Sequence, residues 1–473
     1  MDPPPPPQLR VLDTVQLFAP PPHPRGESEL SPSPLAPLSG LDADPNVLGV
    51  TFRSVRFFPP HPVSLDPLDT LQRAFAAALA LFPQLAGSLR VLDRAAAVVV
   101  FSGSNAVPLV LAASDGLSVA EAVDADAPDS PLLDLLAPAD VDAGVAGPAL
   151  ALQATRFACG GVALGMRVAH ALCDGAGATR FLAAAARFAR GEPVAPPVWA
   201  RRELLGPRDP PRVVAPSFDT VLAPDYDAVG PYGGHGHEQQ KLLKVCFHVS
   251  DVRVETLRAR LSAEAAGVRL TTFEVLAAFI WRARVKANGT SPEETVKMVY
   301  SMNISKLLDP PLPEGYWGNV CVPVYVSLTS GDLLGRSLAE TATLVRKSKR
   351  EVDDEYVRSY VDFLELRRRE GVTATAGRGG VSAFTDWRRL GHGEVDFGWG
   401  GPDAVLPLSW RILGSEEPCF LVPYGISDER RRRGFKVFVA VRETAVACFR
   451  EEMEEILLLQ QEERGNYSTA GKL

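Results

Sequence analysis

The chain has 473 residues, of which 46% are hydrophobic and 22% charged, and its net charge is −8. This length exceeds what one hydrophobic core supports, so two or three domains are expected. The acidic balance argues against a broad nucleic-acid-binding surface or an anionic-membrane surface, and the apolar runs end well short of a membrane span.

The six cysteines are scattered without CxxC spacing, which indicates neither a disulfide framework nor a zinc site. The first residues lack the basic start and apolar stretch of a secretory signal and the character of a transit peptide. We therefore expect a cytosolic protein that binds neither nucleic acid nor membrane.

The first half of the sequence alternates between strand and helix patterns and contains two turn-linked strand pairs. The Cys159-Gly160-Gly161 turn links the second pair. These patterns predict strands at 10–17 and 47–58, helices at 69–81 and 176–190, and hairpins at 87–92 with 96–101 and at 150–157 with 162–169.

Residues 192–240 hold many Pro, Gly and charged residues with little periodicity, and we interpret them as a linker. It separates two predicted domains, 1–191 and 241–473, of a mixed α/β protein. In the second domain the pattern predicts strands at 241–249, 296–304, 320–328, 381–387, 394–397, 406–413, 419–424 and 435–441, and helices at 250–264, 271–286, 332–361 and 444–461.

A histidine, His170, stands directly after the predicted strand 162–169 and is followed by Asp174 and Gly175. Histidine is the side chain whose unperturbed pKa lets it accept a proton near neutral pH. We therefore interpret His170 as a general base. The alternative is a buried histidine satisfied by backbone groups, with Asp174 capping the helix that follows.

A second motif, DFGWG, occupies residues 396–400 and sets two glycines around a large aromatic, which favours a tight turn. Together with the HxxxD motif at 170–174, it resembles the plant BAHD acyl-CoA-dependent acyltransferases. The resemblance covers nearly the whole chain and includes the segments 38–42, 82–87, 272–282 and 310–319.

The resemblance implies two similar chloramphenicol-acetyltransferase-like domains with a channel at their interface. Acyl-CoA is then a co-substrate, with no permanently bound cofactor and no metal, and His170 removes the proton of the acceptor. Structural roles at the site are expected for Asp174, Gly175, Asp396, Gly398, Trp399 and Gly400. In this family the aspartate of HxxxD forms an ion pair, and by position its partner is Arg282 or Lys306.

Further site residues follow from the same resemblance. Thr385 and Trp387 are expected to stabilise the oxyanion, although Trp387 as a core aromatic with a satisfied N–H is the alternative. The expected CoA contacts are Thr271, Thr272, Arg284, Lys286 and Lys306. The chain departs from the DxRxR pattern of many members at 303–307. The basic runs 346–350 and 430–433 are interpreted as solvated faces, and two linker histidines, His235 and His237, are a weak metal signal.

The predicted reaction is O-acylation of a small alcohol or phenol, with hydroxycinnamoyl, benzoyl or acetyl donors open and malonyl disfavoured. N-acylation of an amine or polyamine by the same site is the second hypothesis, and a catalytically weak binding or regulatory protein is the third. A condensation domain is disfavoured because Ala169, not a second histidine, precedes His170. Ser54 and Arg56 are expected in the acceptor pocket, where Arg56 allows an acidic acceptor. A monomer is expected.

Overall fold

Two six-stranded sheets, one built mainly from each half of the chain, organise the structure. The structure is a computed structural model, and it describes residues 9–18, 35–48, 50–60, 66–92, 96–100, 106–122, 127–140, 148–214, 216, 218–225, 241–375 and 380–457. Among the helices of these residues, none combines the length and the apolar character needed to cross a bilayer.

The first sheet has the strand order β1-β6-β7-β8-β3-β15. The helices α1 (Pro67–Leu79) and α4 (Gly175–Ala189) pack against each other beside this sheet, with Phe75 stacked on Phe181 at 5.9 Å between ring centroids. The strands are β1 (Arg10–Phe18), β3 (Thr51–Phe58), β6 (Ala106–Ser114), β7 (Leu150–Phe157), β8 (Val162–Ala169) and β15 (Ala404–Pro407).

The second sheet has the order β10-β17-β16-β14-β11-β12. Its strands are β10 (Leu242–Ser250), β11 (Thr295–Asn303), β12 (Cys321–Thr329), β14 (Val381–Asp386), β16 (Glu417–Pro423) and β17 (Gly434–Arg442). Its helices are α6 (Asp251–Glu264), α7 (Thr272–Ala287), α8 (Ser330–Gly335), α9 (Leu338–Arg350), α10 (Asp354–Glu370) and α11 (Val446–Met453).

Shorter elements complete the described chain. A three-stranded sheet has the order β2-β5-β4, and β9 pairs with β13. These strands are β2 (Leu35–Pro37), β4 (Ser88–Leu92), β5 (Ala96–Val100), β9 (Ala223–Asp225) and β13 (Thr373–Thr375), and the short helices are α2 (Val119–Ala122), α3 (Pro131–Leu135) and α5 (Arg201–Leu205).

The hairpin of β7 and β8 is confirmed residue for residue. All eight residues of β8 are buried because the strand lies inside the sheet with both faces covered, which is why its sequence is almost continuously apolar. Antiparallel pairing to β7 on one side and β3 on the other fixes where β8 ends. His170 is the next residue, so its position is set by the most buried part of the sheet.

Several predicted elements are wrong in type or extent. Residues 332–361 form parts of three helices, because Ser337 caps α9 and Asp353 caps α10 and each interrupts the run. Residues 394–397 are not a strand, since positive φ angles at Gly391 (76°) and Gly398 (103°) bend the chain there. The final helix ends at Met453. The strand β6 and the short α2 and α3 were not predicted, and residues 101 and 458–461 lie outside the described chain.

The two halves share a sheet and a core. The strand β15 belongs to the second half by sequence, yet it pairs antiparallel with β3 of the first sheet. Beside it, the ring of Phe397 lies 5.9 Å from the rings of both Phe58 and Phe75. The second half therefore completes the first half's sheet and covers part of its core.

Candidate active site

His170 lies in a single 3₁₀ turn between β8 and α4, at the boundary of the two halves. Its backbone N–H donates to the carbonyl of Val50 at 2.8 Å, and its own carbonyl accepts from Nδ2 of Asn319 at 2.9 Å. Burial lowers the pKa of His170 below its ordinary value, and the negative charge of Asp174 opposes that shift in part. Its buried Nδ1 has no hydrogen-bond partner in the described chain. The lowered pKa favours a neutral ring, and the two backbone hydrogen bonds of His170 fix the position of the residue.

Aromatic rings of the second half reach His170 through Phe52 of β3. The Phe52 ring is T-shaped to the His170 ring at 6.4 Å and lies 5.4 Å from the ring of Trp387. Trp387 is buried and follows β14, the strand that carries the partly exposed Thr385. The structure thus brings the predicted oxyanion segment within two ring contacts of the histidine.

Gly175 is needed where α4 begins close to the second half. A Cβ at this position would lie 3.0 Å from Cδ1 of Leu390 and 4.0 Å from Nε1 of Trp387. The first distance is tighter than nearly all real Cβ contacts. A larger residue would therefore push Leu390 aside at the point where the two halves meet.

The predicted ion pair of Asp174 is not formed in the described chain. One carboxylate oxygen accepts from the N–H of Gly177 at 2.9 Å, and the other accepts from the N–H of Val320 at 3.1 Å. Arg282 instead donates to backbone carbonyls at the end of α8, including that of Arg336 at 2.7 Å. Lys306 is exposed. Asp174 is thus stabilised by two backbone amides, one from each half, rather than by a cation.

A buried ion pair supports the histidine turn from the other side. Asp42 and Arg201 are 3.0 Å apart, with side chains 0% and 4% exposed. Asp42 accepts from Asn319 Nδ2 at 2.9 Å, and Arg201 donates to the carbonyl of Leu172 at 2.7 Å. Sequence reasoning missed this network, although Asp42 and Asn319 lie in segments that carried the family resemblance. Together these residues hold the carbonyls of His170 and Leu172.

The DFGWG turn stabilises itself. The carboxylate of Asp396 accepts from the N–H groups of Gly398 and Gly400, both at 2.8 Å, and these glycines have φ angles of 103° and 95°. The carbonyl of Asp396 accepts from the guanidinium of Arg190 at the end of α4. The predicted tight turn is confirmed, and it joins the second half to α4.

The side chains of two expected CoA contacts are engaged within the protein. Arg284 is 1% exposed and lies between α7 and the second sheet, where it donates to the carbonyls of Glu417 at 2.5 Å and Ala440 at 3.4 Å. Lys286 lies at the far end of α7 with its ammonium 2.5 Å from Glu452 of α11. Arg284 therefore stabilises the core, and Lys286 forms a surface ion pair.

The other expected CoA contacts lie at the start of α7 and in the turn after β11. Thr271 caps α7 in a reciprocal pair with Glu274: its hydroxyl accepts from the Glu274 N–H, and that carboxylate accepts from the Thr271 N–H. Thr272 is partly exposed in the first turn. Thr271 and Lys306 are exposed. These three residues are accessible to a ligand.

One of the basic runs is partly paired in the structure. Within the basic run 346–350, Arg346 and Lys349 lie 3.9 and 3.2 Å from the buried carboxylate of Glu274, so part of this face is paired rather than solvated. His235 and His237 lie outside the described residues. No group of three or more potential metal ligands occurs among the residues that are described.

The two expected acceptor-pocket residues lie on β3. Arg56 is 2% exposed, and its Nη1 donates to Oγ of Ser54 at 3.3 Å. Its Nη2 donates to Oγ1 of Thr179 on α4 at 3.4 Å. Both therefore point to the side of the sheet that α4 and His170 occupy.

Comparisons with known proteins agree with this geometry. The profile of the Transferase family matches residues 28–456. The chain is 32% identical to 3'-N-debenzoyl-2'-deoxytaxol N-benzoyltransferase of Taxus canadensis over 90% of this chain and 93% of the relative. It is 30% identical to taxadien-5-alpha-ol O-acetyltransferase of Taxus chinensis over 91% and 95%.

A solved structure shares the fold. The crystal structure of TRI101 of F. sporotrichioides, complexed with coenzyme A and T-2, superposes with a TM-score of 0.71 at 16% identity, covering 89% of this chain and 98% of that one. The fold is thus the chloramphenicol-acetyltransferase-like arrangement that the sequence predicted. Given the family match over residues 28–456, the chain belongs to the Transferase family of plant BAHD acyltransferases, enzymes that use acyl-CoA as co-substrate.

Proposed function

We propose that the protein moves an acyl group from a CoA thioester to the hydroxyl of a small specialised metabolite, with His170 as general base. The observation that carries the proposal is the histidine itself. Burial lowers the pKa of His170, which favours the neutral ring, and a neutral imidazole has one nitrogen that can accept a proton. Its position where the two halves meet supports access by two substrates.

In the proposed reaction His170 takes the hydroxyl proton as the acceptor oxygen attacks the thioester carbonyl. A C–O bond forms and the carbonyl oxygen becomes an oxyanion. Collapse of this intermediate breaks the C–S bond, and the departing thiolate receives the proton from His170. The network of Asp42, Arg201 and Asn319 holds the turn in place while the ring changes charge.

We propose that the Thr385 hydroxyl and the Trp387 indole N–H donate to the oxyanion. The ring contacts that connect Trp387 to His170 through Phe52 support this placement. Removal of one such donor typically costs about 10²–10³-fold in kcat. Thr271, Thr272, Lys306 and the exposed Lys286 stay proposed contacts of CoA, whereas Arg284 is buried and contacts the core.

N-acylation is the second candidate, because the first relative above is named an N-benzoyltransferase whereas the second is named an O-acetyltransferase. The names of the same relatives support benzoyl and acetyl groups as donors for this chain. Spermidine sinapoyl-CoA acyltransferase and spermidine coumaroyl-CoA acyltransferase of Arabidopsis thaliana, 28% and 30% identical, support hydroxycinnamoyl groups by their names. Amine and alcohol acceptors use the same base. We also propose a cytosolic monomer, which subcellular fractionation and light scattering would check.

The test is a matrix of benzoyl-, acetyl- and coumaroyl-CoA against alcohol and amine acceptors, with released CoA thiol as the readout. We expect His170→Ala to lower kcat by about 10²–10⁴-fold for every active pair. His248→Ala is the matched control: this histidine lies on β10 and contacts Tyr424, away from the proposed base, and its loss should leave kcat unchanged.

Two outcomes would contradict the proposal. Activity of His170→Ala within tenfold of the wild type would remove His170 as the base. No thiol release across the whole matrix would favour the binding or regulatory alternative. Alcohol acceptors exceeding matched amines by more than tenfold in kcat/KM would establish O-acylation, and the reverse ratio would establish N-acylation.

A further inference from the structure

Two arginines of β3 are buried in different ways. Arg53 forms an ion pair with Asp134 at 3.1 Å and donates to the carbonyl of Pro138 at 2.8 Å, among other backbone groups. Arg56 makes only the two long bonds to the Ser54 and Thr179 hydroxyls, and its buried Nε has no partner in the described chain. One guanidinium is neutralised within the protein, and the other is not.

The surroundings of Arg56 supply no negative charge from the described residues. Burial lowers the pKa of Arg56 to about 10, and no carboxylate opposes that effect. Even at that value the guanidinium is charged at neutral pH. A buried cation without a counter-ion has a large desolvation cost, and buried charges in proteins are usually paired. An unpaired one is therefore a candidate binding site for an anion.

A second buried group, His392, lies close enough to Arg56 to be influenced by its charge. His392 is 7% exposed, and neither of its ring nitrogens has a hydrogen-bond partner in the described chain. Burial, with the charge of Arg56 added, lowers the pKa of His392 to about 3. His392 is therefore neutral and has one N–H to donate, and it lines a cavity of about 130 Å³ together with Val405, the residue paired with Arg56 across β15.

These groups lie on the face of β3 that leads to His170. Because alternate residues of a strand share a face, Phe52, Ser54 and Arg56 form one row, and four residues of strand span roughly 13 Å. Phe52 contacts the His170 ring, at one end of the row. His392 lies 5.7 Å, ring to ring, from Trp387, which itself contacts Phe52. The guanidinium of Arg56, bonded to Ser54, therefore lies in the same row of side chains as the ring that contacts His170.

We infer that Arg56, with Ser54, Thr179 and His392, binds the carboxylate of one of the two substrates. A guanidinium fork binds a carboxylate through two parallel hydrogen bonds, and the Ser54 hydroxyl and the neutral imidazole supply further donors. The Thr179 hydroxyl, which donates to the carbonyl of Gly175 at 2.8 Å, orients the guanidinium by accepting from it. The acceptor is the expected source of the carboxylate, and a dicarboxylic acyl donor is the other. This inference rests on the proposed function and narrows it to an acidic substrate.

The test compares a hydroxycarboxylic acid acceptor, 3-hydroxybenzoate, with its methyl ester and its amide, each with benzoyl-CoA. The wild type should favour the acid by about 10- to 100-fold in kcat/KM, and Arg56→Met should bring the ratio of acid to ester close to one. Arg56→Lys, which keeps the charge without the fork, should retain part of it. A second arm pairs succinyl-CoA or acetyl-CoA with a neutral alcohol; a preference for succinyl that Arg56→Met removes would assign the carboxylate to the donor.

The matched control is Arg53→Met on the same strand. It removes a paired arginine, so it should lower the urea midpoint of unfolding and leave the acid-to-ester ratio unchanged. Arg56→Met should not lower that midpoint, because it removes a cation without a counter-ion. A lower midpoint for Arg56→Met together with an unchanged ratio in both arms would overturn the inference and make Arg56 a packing residue.

A binding measurement separates this inference from the proposed function. Benzoate should raise the thermal midpoint of the wild type more than benzamide does, and Arg56→Met should remove the difference. That result supports the carboxylate site even if no acyl transfer is found. Equal shifts for benzoate and benzamide, alongside active acyl transfer without a carboxylate preference, would overturn the site and leave the proposed function intact.

Discussion

The two signature motifs share one hydrogen-bonding arrangement, which has a different consequence in each. In each, an aspartate carboxylate accepts two backbone N–H groups. Asp174 takes one from its own helix and one from Val320, 146 positions away in the second half. Asp396 takes both from within four residues of itself. The first therefore positions a reactive group between the halves, and the second shapes a local turn.

The surroundings of the amides differ as well. Gly177 is buried and Val320 is partly buried, so loss of the Asp174 carboxylate leaves N–H groups that water reaches poorly. Gly398 and Gly400 are exposed, and water can replace the carboxylate of Asp396 there. An unsatisfied buried donor costs more than an exposed one, so loss of the Asp174 carboxylate should lower the free energy of unfolding more than loss of the Asp396 carboxylate.

Alanine at each aspartate should give the largest difference between the motifs. We expect Asp174→Ala to lower the free energy of unfolding by about 3 kcal/mol and kcat by at least about tenfold, because two charge-assisted bonds near His170 are lost. Asp396→Ala should lower stability by about 1 kcal/mol with kcat unchanged. Urea unfolding and thiol release measure both, and equal effects of the two variants would remove the distinction.

Backbone strain should give the next effect, confined to the DFGWG turn. Gly398 has a φ of 103°, which side-chain-bearing residues rarely adopt, so Gly398→Ala should cost about 1–2 kcal/mol in unfolding free energy. The control Gly116→Ala, where no atom lies within 4 Å of an added Cβ and φ is not positive, should change stability by less than about 0.5 kcal/mol. A lower kcat of Gly398→Ala, measured under conditions where the variant is fully folded, would give this turn a role in catalysis.

The smallest effect is on pH dependence. Burial keeps the pKa of His170 below its ordinary 6.5, and only the neutral ring can accept a proton, so kcat/KM should fall toward acid with a midpoint below pH 6.5. The charge of Asp174 raises that pKa, so Asp174→Asn should move the acidic limb to still lower pH, whereas Asp396→Asn should not. A shift of this limb in Asp174→Asn without loss of stability would contradict the structural role of Asp174.

Local signals in the sequence were enough to place His170 at the end of a buried strand. The apolar run of β8 and the glycine turn before it specify a hairpin without help from distant residues, and His170 follows from where the strand ends. The DFGWG turn is local in the same sense, because the acceptor and both donors lie within five residues. Motif resemblance then joined the two regions.

Contacts between distant segments could not be predicted from the sequence. Nearly every residue of α7 from Glu274 to Val285 is buried, so helical periodicity gives no preferred face and cannot tell whether Arg284 points into the core or toward a ligand. Its partner Glu417 is 133 positions away. The amide that replaces the expected cation at Asp174 comes from a loop packed against it only in the folded protein. Such partners are selected by tertiary packing, which the order of residues does not display.

The strand that the second half contributes to the first sheet has a consequence for synthesis. Arg53 on β3 bonds to Ser409, beside β15, across 356 positions of chain. At about 5–20 residues per second, a ribosome needs roughly 20–70 s to make that interval, and during this time the outer edge of β3 has no strand beside it. Unpaired edges are where chains associate wrongly. The sheet that carries the proposed base therefore stays incomplete through most of synthesis, and a nascent chain at this stage is a form for which chaperone protection matters.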